Sequence, residues 1–198
     1  MRQSSHTQTH RFRGHHRFEH WYADNQVYFL TARCRDRVPA FADEQAKNIF
    51  WNRFDHYTHQ FGFTPWITSL LDNHYHTLGY LKHGQNLGSM MQRLHGSTAK
   101  LVNDHLESHG QPRLKPFFRE AGNQDYFDGC LRSEKQGRLT YRYVQIQGER
   151  HGFAQDWRTY PHTRINVELE PAIQRANELH AWMTGVPYKR YDDRKQRD

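Results

Sequence analysis

The stretch from residue 65 to residue 81 constrains the fold more than any other. Two runs of strand-forming residues, 65–71 and 74–81, are interrupted only by Asp72-Asn73, a pair of turn formers. The second run opens on His74-Tyr75-His76. On a strand, residues i and i+2 share a face, so both imidazoles point to one side while Tyr75 packs on the other. That is half of a metal site, because neutral imidazole is the commonest metal ligand near physiological pH. With 16 histidines in 198 residues, a chance His-x-His is common. Spacing alone therefore leaves metal ligation and a structural role both open.

A second half is offered by residues 142–152, Arg142-Tyr143-Val144-Gln145-Ile146-Gln147-Gly148-Glu149-Arg150-His151-Gly152. Read as a helix, this places Tyr143 and Gln147 at i and i+4 on one face, projecting a phenol and an amide together.

Taken with the histidine pair, the segment resembles the HUH single-tyrosine transposases, most closely their REP-associated tyrosine transposase branch. In that family a histidine-hydrophobic-histidine strand follows a short turn, matched here by Asp72-Asn73 and His74-Tyr75-His76. The family's catalytic helix carries a tyrosine, an asparagine or glutamine four residues later, and a basic-His-Gly ending. Tyr143, Gln147 and Arg150-His151-Gly152 match these in turn. Tyr28-Phe29-Leu30-Thr31-Ala32-Arg33 is similar to the opening strand, and Phe127-Asp128 with Leu131-Arg132 to an aromatic-acidic-x-x-aliphatic-Arg segment. The resemblance runs from about Tyr28 to about Pro161. Three positions depart from the pattern: Asp72 and Gly148 stand where proline is usual, and Gly129 where histidine is common. None removes a catalytic group.

The resemblance implies an α+β fold, a ferredoxin-like antiparallel sheet flanked by helices with the catalytic tyrosine on a helix. It implies a metal-dependent single-stranded DNA endonuclease and strand transferase, a transposase acting at hairpin-associated sites. Tyr143 would be the nucleophile, giving a 5′-phosphotyrosine intermediate and a free 3′-hydroxyl. His74, His76 and Gln147 would hold a divalent metal, Mg²⁺ or Mn²⁺, although Zn²⁺ also suits these ligand types. Single-stranded or hairpin DNA would be the partner. The family also allows a homodimer in which catalytic helices are exchanged. The alternative is a non-catalytic DNA-binding protein descended from such a transposase, to which the departures at Gly129 and Gly148 would point. The barrel of another His-x-His class, the metal-dependent hydrolases, needs about 200–250 residues or more plus later ligands, which this chain cannot supply.

Charge fits a polyanionic partner: Lys+Arg outnumber Asp+Glu by 28 to 21, a net +7. Arg11, Arg13 and Arg17 cluster in the first residues, and Arg119, Arg132, Arg138 and Arg142 are further candidates for phosphate contacts. Each alone reads equally well as surface charge. Cys34 and Cys130 form no C-x-x-C pair and are expected to be small buried residues. No apolar run approaches the roughly 18–20 residues of a membrane span, so a cytoplasmic, nucleoid-associated protein without membrane contact is expected.

The chain divides into a flexible basic arm (1–24), a transposase-like domain (25–165), and a C-terminal helix with a basic tail (166–198). Helical spacing is expected from Asp43, a candidate N-cap, to Phe61, with Gly62 as the stop. A second helix, capped by Asn86, should run to about Leu106. It would pack through Leu87, Met90, Met91, Leu94, Leu101 and Val102 and leave Gln92, Arg93, Lys100 and Asn103 outward. A last amphipathic helix is expected over 171–185. Because 14% of residues are aromatic, the core should rest on few but large side chains.

Overall fold

The computed structural model describes residues 22–119 and 125–184. Arg11, Arg13 and Arg17, nearly all of the expected arm, and the basic tail lie outside the described residues. In chain order the elements are β1 (Gln26–Arg33), α1 (Glu44–Phe61), β2 (Phe63–Leu70), β3 (His74–Leu81), α2 (Asn86–Ser108), β4 (Phe127–Cys130), α3 (Glu134–Gln145), α4 (Gln147–Arg150), β5 (Thr163–Ile165) and α5 (Leu169–Glu178).

The strands pair antiparallel in the order β4-β1-β3-β2-β5. The connection β1-α1-β2-β3-α2-β4 with spatial order 4-1-3-2 is the ferredoxin-like arrangement, extended by β5 on the β2 edge. The α+β expectation therefore holds. β4 and β5 have no counterpart in the sequence reading, because four and three residues are too few to show a period of two.

Alternation in β1 divides the molecule into layers. Tyr28, Leu30 and Ala32 point to the α1/α2 side with Phe50, Phe54, Tyr75, Met90 and Leu94. Val27 and Phe29 point to the other side, with Trp66, Leu78, Tyr141 and Val144 beneath α3 and α5. The largest fully buried side chains are Trp66, Tyr28, Tyr75 and Tyr141, the aromatic core expected from composition. Burying each such side chain contributes on the order of 1.5–3 kcal/mol.

Local signals set the helix ends. Asp43 accepts hydrogen bonds from the main-chain N–H groups of Gln45 and Ala46, and Gly62, at φ 72°, takes the left-handed conformation that closes α1. Asn86 does not cap α2. It is the helix's first residue, and its Nδ2 donates to the Phe61 carbonyl at 3.0 Å, tying α2 to the end of α1. Leu101 is exposed rather than packed, whereas Asn103 is buried. Asn103 bonds both the N–H and the C=O of Leu114, pinning the loop after α2 as a strand partner would. The last helix ends at Glu178, short of Gly185, because His180 has φ 49° and Ala181 N–H turns back to the Ala176 carbonyl. Ile173 is nonetheless buried, and Leu179 and Trp182 pack on the same layer. Cys34 and Cys130 are buried free thiols. Among the described residues no helix is long and apolar enough to cross a membrane.

Candidate active site

The site grows from the turn between β2 and β3. Leu71 N–H donates to the His74 carbonyl at 2.8 Å and closes the turn. Asn73 Nδ2 donates to the Arg37 carbonyl at 3.1 Å, and the Lys47 ammonium sits 3.0 Å from Asp72 Oδ1. The Lys47 side chain is only 7% exposed and that of Asp72 26%, so this pair is partly shielded from water. The carboxylate at position 72 thus supplies by an ion pair the rigidity that proline would give by its ring.

From this turn His74 and His76 project to the α3 face, buried and with ring centroids 4.9 Å apart. Tyr75 points the opposite way into the α1/α2 core, with its hydroxyl 2.9 Å from His95 Nε2. Asn73 Oδ1 lies 2.6 Å from His74 Nδ1. Since Asn73 Nδ2 is committed as a donor to Arg37, Oδ1 can only accept; His74 Nδ1 carries the proton and Nε2 presents a lone pair. His76 Nδ1 lies 2.7 Å from Thr31 Oγ1, its partner in the β1–β3 register, and donation to that hydroxyl likewise frees Nε2. Both rings are held neutral. Burial, then the charges of Arg33, His151 and Arg37, lowers the His74 pKa to about 4. Burial, then His74 and Arg33, pushes His76 well below the usual range.

Tyr143 and Gln147 come together differently from a single helix. Helix α3 ends at Gln145, Ile146 turns to φ −92° and ψ 9°, and Gln147 starts the one-turn α4. The i, i+4 relation survives the break because Gln147 Nε2 donates to the Tyr143 carbonyl at 2.7 Å. The Tyr143 hydroxyl stands 3.5 Å from His76 Nε2. Its ring meets the Phe29 and His76 rings edge-on at 6.0 and 5.1 Å, with the Arg150 guanidinium 5.5 Å from its centroid. Tyrosine and histidine meet within one chain, so no exchange of helices is needed to join them.

The residues present fit a divalent metal. Among the described residues no three His, Cys, Asp or Glu side chains gather into a metal-binding group. Gln147 offers an oxygen donor of another kind: it is fully buried, and its Oε1 has no hydrogen-bond partner. Two neutral imidazole nitrogens and a buried, unsatisfied amide oxygen are donors of borderline hardness that would suit Mn²⁺ or Mg²⁺.

Several residues of the segments matched by the resemblance, none of them singled out as a site residue, also stand around the site. Thr31 and Arg33 reach it only through strand register, opposite His76 and His74. His151, in the Arg150-His151-Gly152 ending, brings its ring within 5.1 Å of His74. Gly152, at φ 75°, makes the left-handed turn that ends α4 there.

Of the arginines singled out from sequence, Arg119 is exposed and its N–H donates to the Arg33 carbonyl at 2.8 Å, beside the site. Arg142 is exposed on α3 one residue before Tyr143. Arg138 is engaged by Glu134 at 2.8 Å and by both carboxylate oxygens of Glu170. Arg132 is half-buried, its N–H bonded to Gln136 Oε1.

The glycine departures have different causes. A Cβ at Gly148 would lie 2.4 Å from Cγ and 2.6 Å from Cβ of Tyr160, so that ring occupies the space a proline would need. Tyr160 is in turn fixed by donating its hydroxyl to the Leu70 carbonyl at 2.7 Å. At Gly129 a Cβ would make only ordinary 3.6 Å contacts with Phe127, and packing does not demand glycine there.

No protein-family model and no curated protein matches the sequence. Among solved structures, that of a REP-associated tyrosine transposase bound to a REP hairpin matches at 15% identity and TM-score 0.58, over 88% of this chain and 93% of that one. A transposase candidate from Deinococcus radiodurans R1 matches at 16% identity and TM-score 0.44, over 64% of this chain and 93% of that one. The five-stranded antiparallel sheet, with helices on both faces, has the fold of a REP-associated tyrosine transposase.

Proposed function

We propose that this chain is a transposase: a metal-dependent single-stranded DNA endonuclease and strand transferase acting at hairpin-associated sites. The observation that carries the reading is the Tyr143 hydroxyl 3.5 Å from Nε2 of a buried, neutral His76. The hairpin DNA held by the structural neighbour supports the choice of substrate.

His74, His76 and Gln147 would hold Mg²⁺ or Mn²⁺, which when bound polarises a phosphoryl oxygen and offsets charge developing on it. The Tyr143 oxygen attacks phosphorus and the bond to the 3′-oxygen breaks. The phenolic proton passes to water, and the departing 3′-oxygen takes one up. The product is a 5′-phosphotyrosyl chain with a free 3′-hydroxyl, and the linkage keeps the bond energy for strand transfer. Asn73 and Thr31 orient the two imidazoles through Nδ1, and Phe29 and Arg150 hold the phenol ring over them.

The test is incubation with labelled single-stranded DNA from the gene's own flanks, in Mn²⁺ or EDTA, scored for a covalent protein–DNA band. A band in Mn²⁺ that is lost in EDTA and in His74→Ala and His76→Ala is expected. No band under any condition, with DNA binding retained, would favour the non-catalytic descendant.

A further inference from the structure

β4 is the edge strand of the sheet on the β1 side. Its register pairs Phe127 with Thr31, and Thr31 pairs with His76 on its other side, so the three lie in one cross-strand row. Two strand spacings of ~4.8 Å put Phe127 about 10 Å from His76, within the reach of the nucleotide next to a phosphate held at the histidines. Phe127 is 44% exposed although its ring meets Phe29 edge-on at 6.4 Å. Phe29 stacks on His76 at 5.7 Å and 13° and touches Tyr143. An aromatic path therefore leads from an exposed ring at the sheet edge to the candidate nucleophile.

Cations border the same path. Arg33 is two residues beyond Thr31 on β1 and on its face, exposed Arg119 bonds the Arg33 carbonyl, and Arg150 lies over the Tyr143 ring. An apolar protein partner would satisfy the phenyl ring but leave these guanidinium groups facing apolar surface. A single strand of DNA satisfies both, with bases on the ring and phosphates at the arginines. Gly129 adds a second observation. It lies on the same face, two residues along β4, where a side chain would rest on Phe127 Cε1 and Cζ at 3.6 Å. Its absence leaves that flank of the ring open.

We infer that Phe127 is a stacking platform for an unpaired DNA base beside the cleavage position, with Gly129 keeping the ring accessible. The inference rests on the reading of the site as a single-stranded DNA endonuclease.

It is tested with the full chain carrying Tyr143→Phe, which keeps the DNA intact, in Mn²⁺. Fluorescence anisotropy measures binding of a short mixed-sequence single strand and of an abasic strand of the same length. Phe127→Ala should weaken the base-bearing strand about ten-fold and leave the abasic strand unchanged. Phe127→Trp should bind the base-bearing strand at least as well as the parent. Gly129→Leu, whose Cβ would make only ordinary contacts, should weaken it several-fold with Phe127 still in place. Equal loss on both strands, or none on either, overturns the stacking role while leaving the endonuclease reading standing. If the parent binds neither strand, the endonuclease reading fails and the platform with it.

Discussion

Gln147 donates its amide nitrogen to the Tyr143 carbonyl at 2.7 Å and keeps Oε1 buried without a partner. The third candidate ligand is thereby clamped to the backbone of the candidate nucleophile, and whatever places one places the other. Gln147→Ala is expected to lower Mn²⁺ affinity at least about ten-fold and stability by about 1 kcal/mol. Gln147→Glu should retain metal binding through a carboxylate oxygen. Titration of free Mn²⁺ by electron paramagnetic resonance checks this, and unchanged affinity in Gln147→Ala would remove the amide from the ligand set.

Three tyrosines lie in the segment that resembles the catalytic region, and their surroundings separate them. Tyr141 is buried and donates its hydroxyl to the Val167 carbonyl at 2.9 Å. Tyr126 is buried in the α1/α2 core, across the sheet from the histidine pair. Tyr143→Phe should abolish the covalent adduct and preserve DNA binding, whereas Tyr126→Phe and Tyr141→Phe should still form it. Peptide mapping of the adduct by mass spectrometry decides; DNA attached to Tyr126 or Tyr141 would overturn the assignment.

Behind the sheet, burial lowers the His95 pKa to about 3, and its Nε2 lies 2.9 Å from the Tyr75 hydroxyl. In the unfolded chain His95 takes up a proton below about pH 6.5, and in the folded chain it does not until far lower. The unfolded state therefore binds more protons in that window, and stability falls as pH drops from about 6.5 toward 3. His95→Gln should reduce this loss by about 2 kcal/mol between about pH 6.5 and pH 4.5. Urea unfolding at the two pH values measures it. A variant with an undiminished pH dependence would show that His95 is not the group responsible.

Gly148 sits against the base of the Tyr160 ring, where the nearest atoms cannot swing away. Gly148→Ala is predicted to cost about 1–3 kcal/mol through overpacking. The cost should largely vanish in Gly148→Ala combined with Tyr160→Gly, which removes the Tyr160 Cβ as well as the ring, relative to Tyr160→Gly alone. A full cost in both backgrounds, by thermal or urea unfolding, would place its origin elsewhere.

Local chemistry alone was enough to determine much of this protein. Asp43 and Gly62 announce the ends of α1, the period of two places His74 and His76 on one face with Tyr75 opposite, and the four-residue interval links Tyr143 to Gln147. These are interactions between residues close in the chain, so their pattern is written along it. Asn86, Leu101 and Asn103 show the limit of the same logic, because each is decided by a neighbour from elsewhere: the Phe61 carbonyl, the solvent, and the loop at Leu114. Only the tertiary structure decided that Thr31 faces His76, that Phe127 stands exposed in the same row, and that the helix breaks at Ile146 while Gln147 still grips Tyr143. Strand register and the packing of α3 on the sheet are set by long-range contacts, and those contacts bring the tyrosine hydroxyl to the histidine.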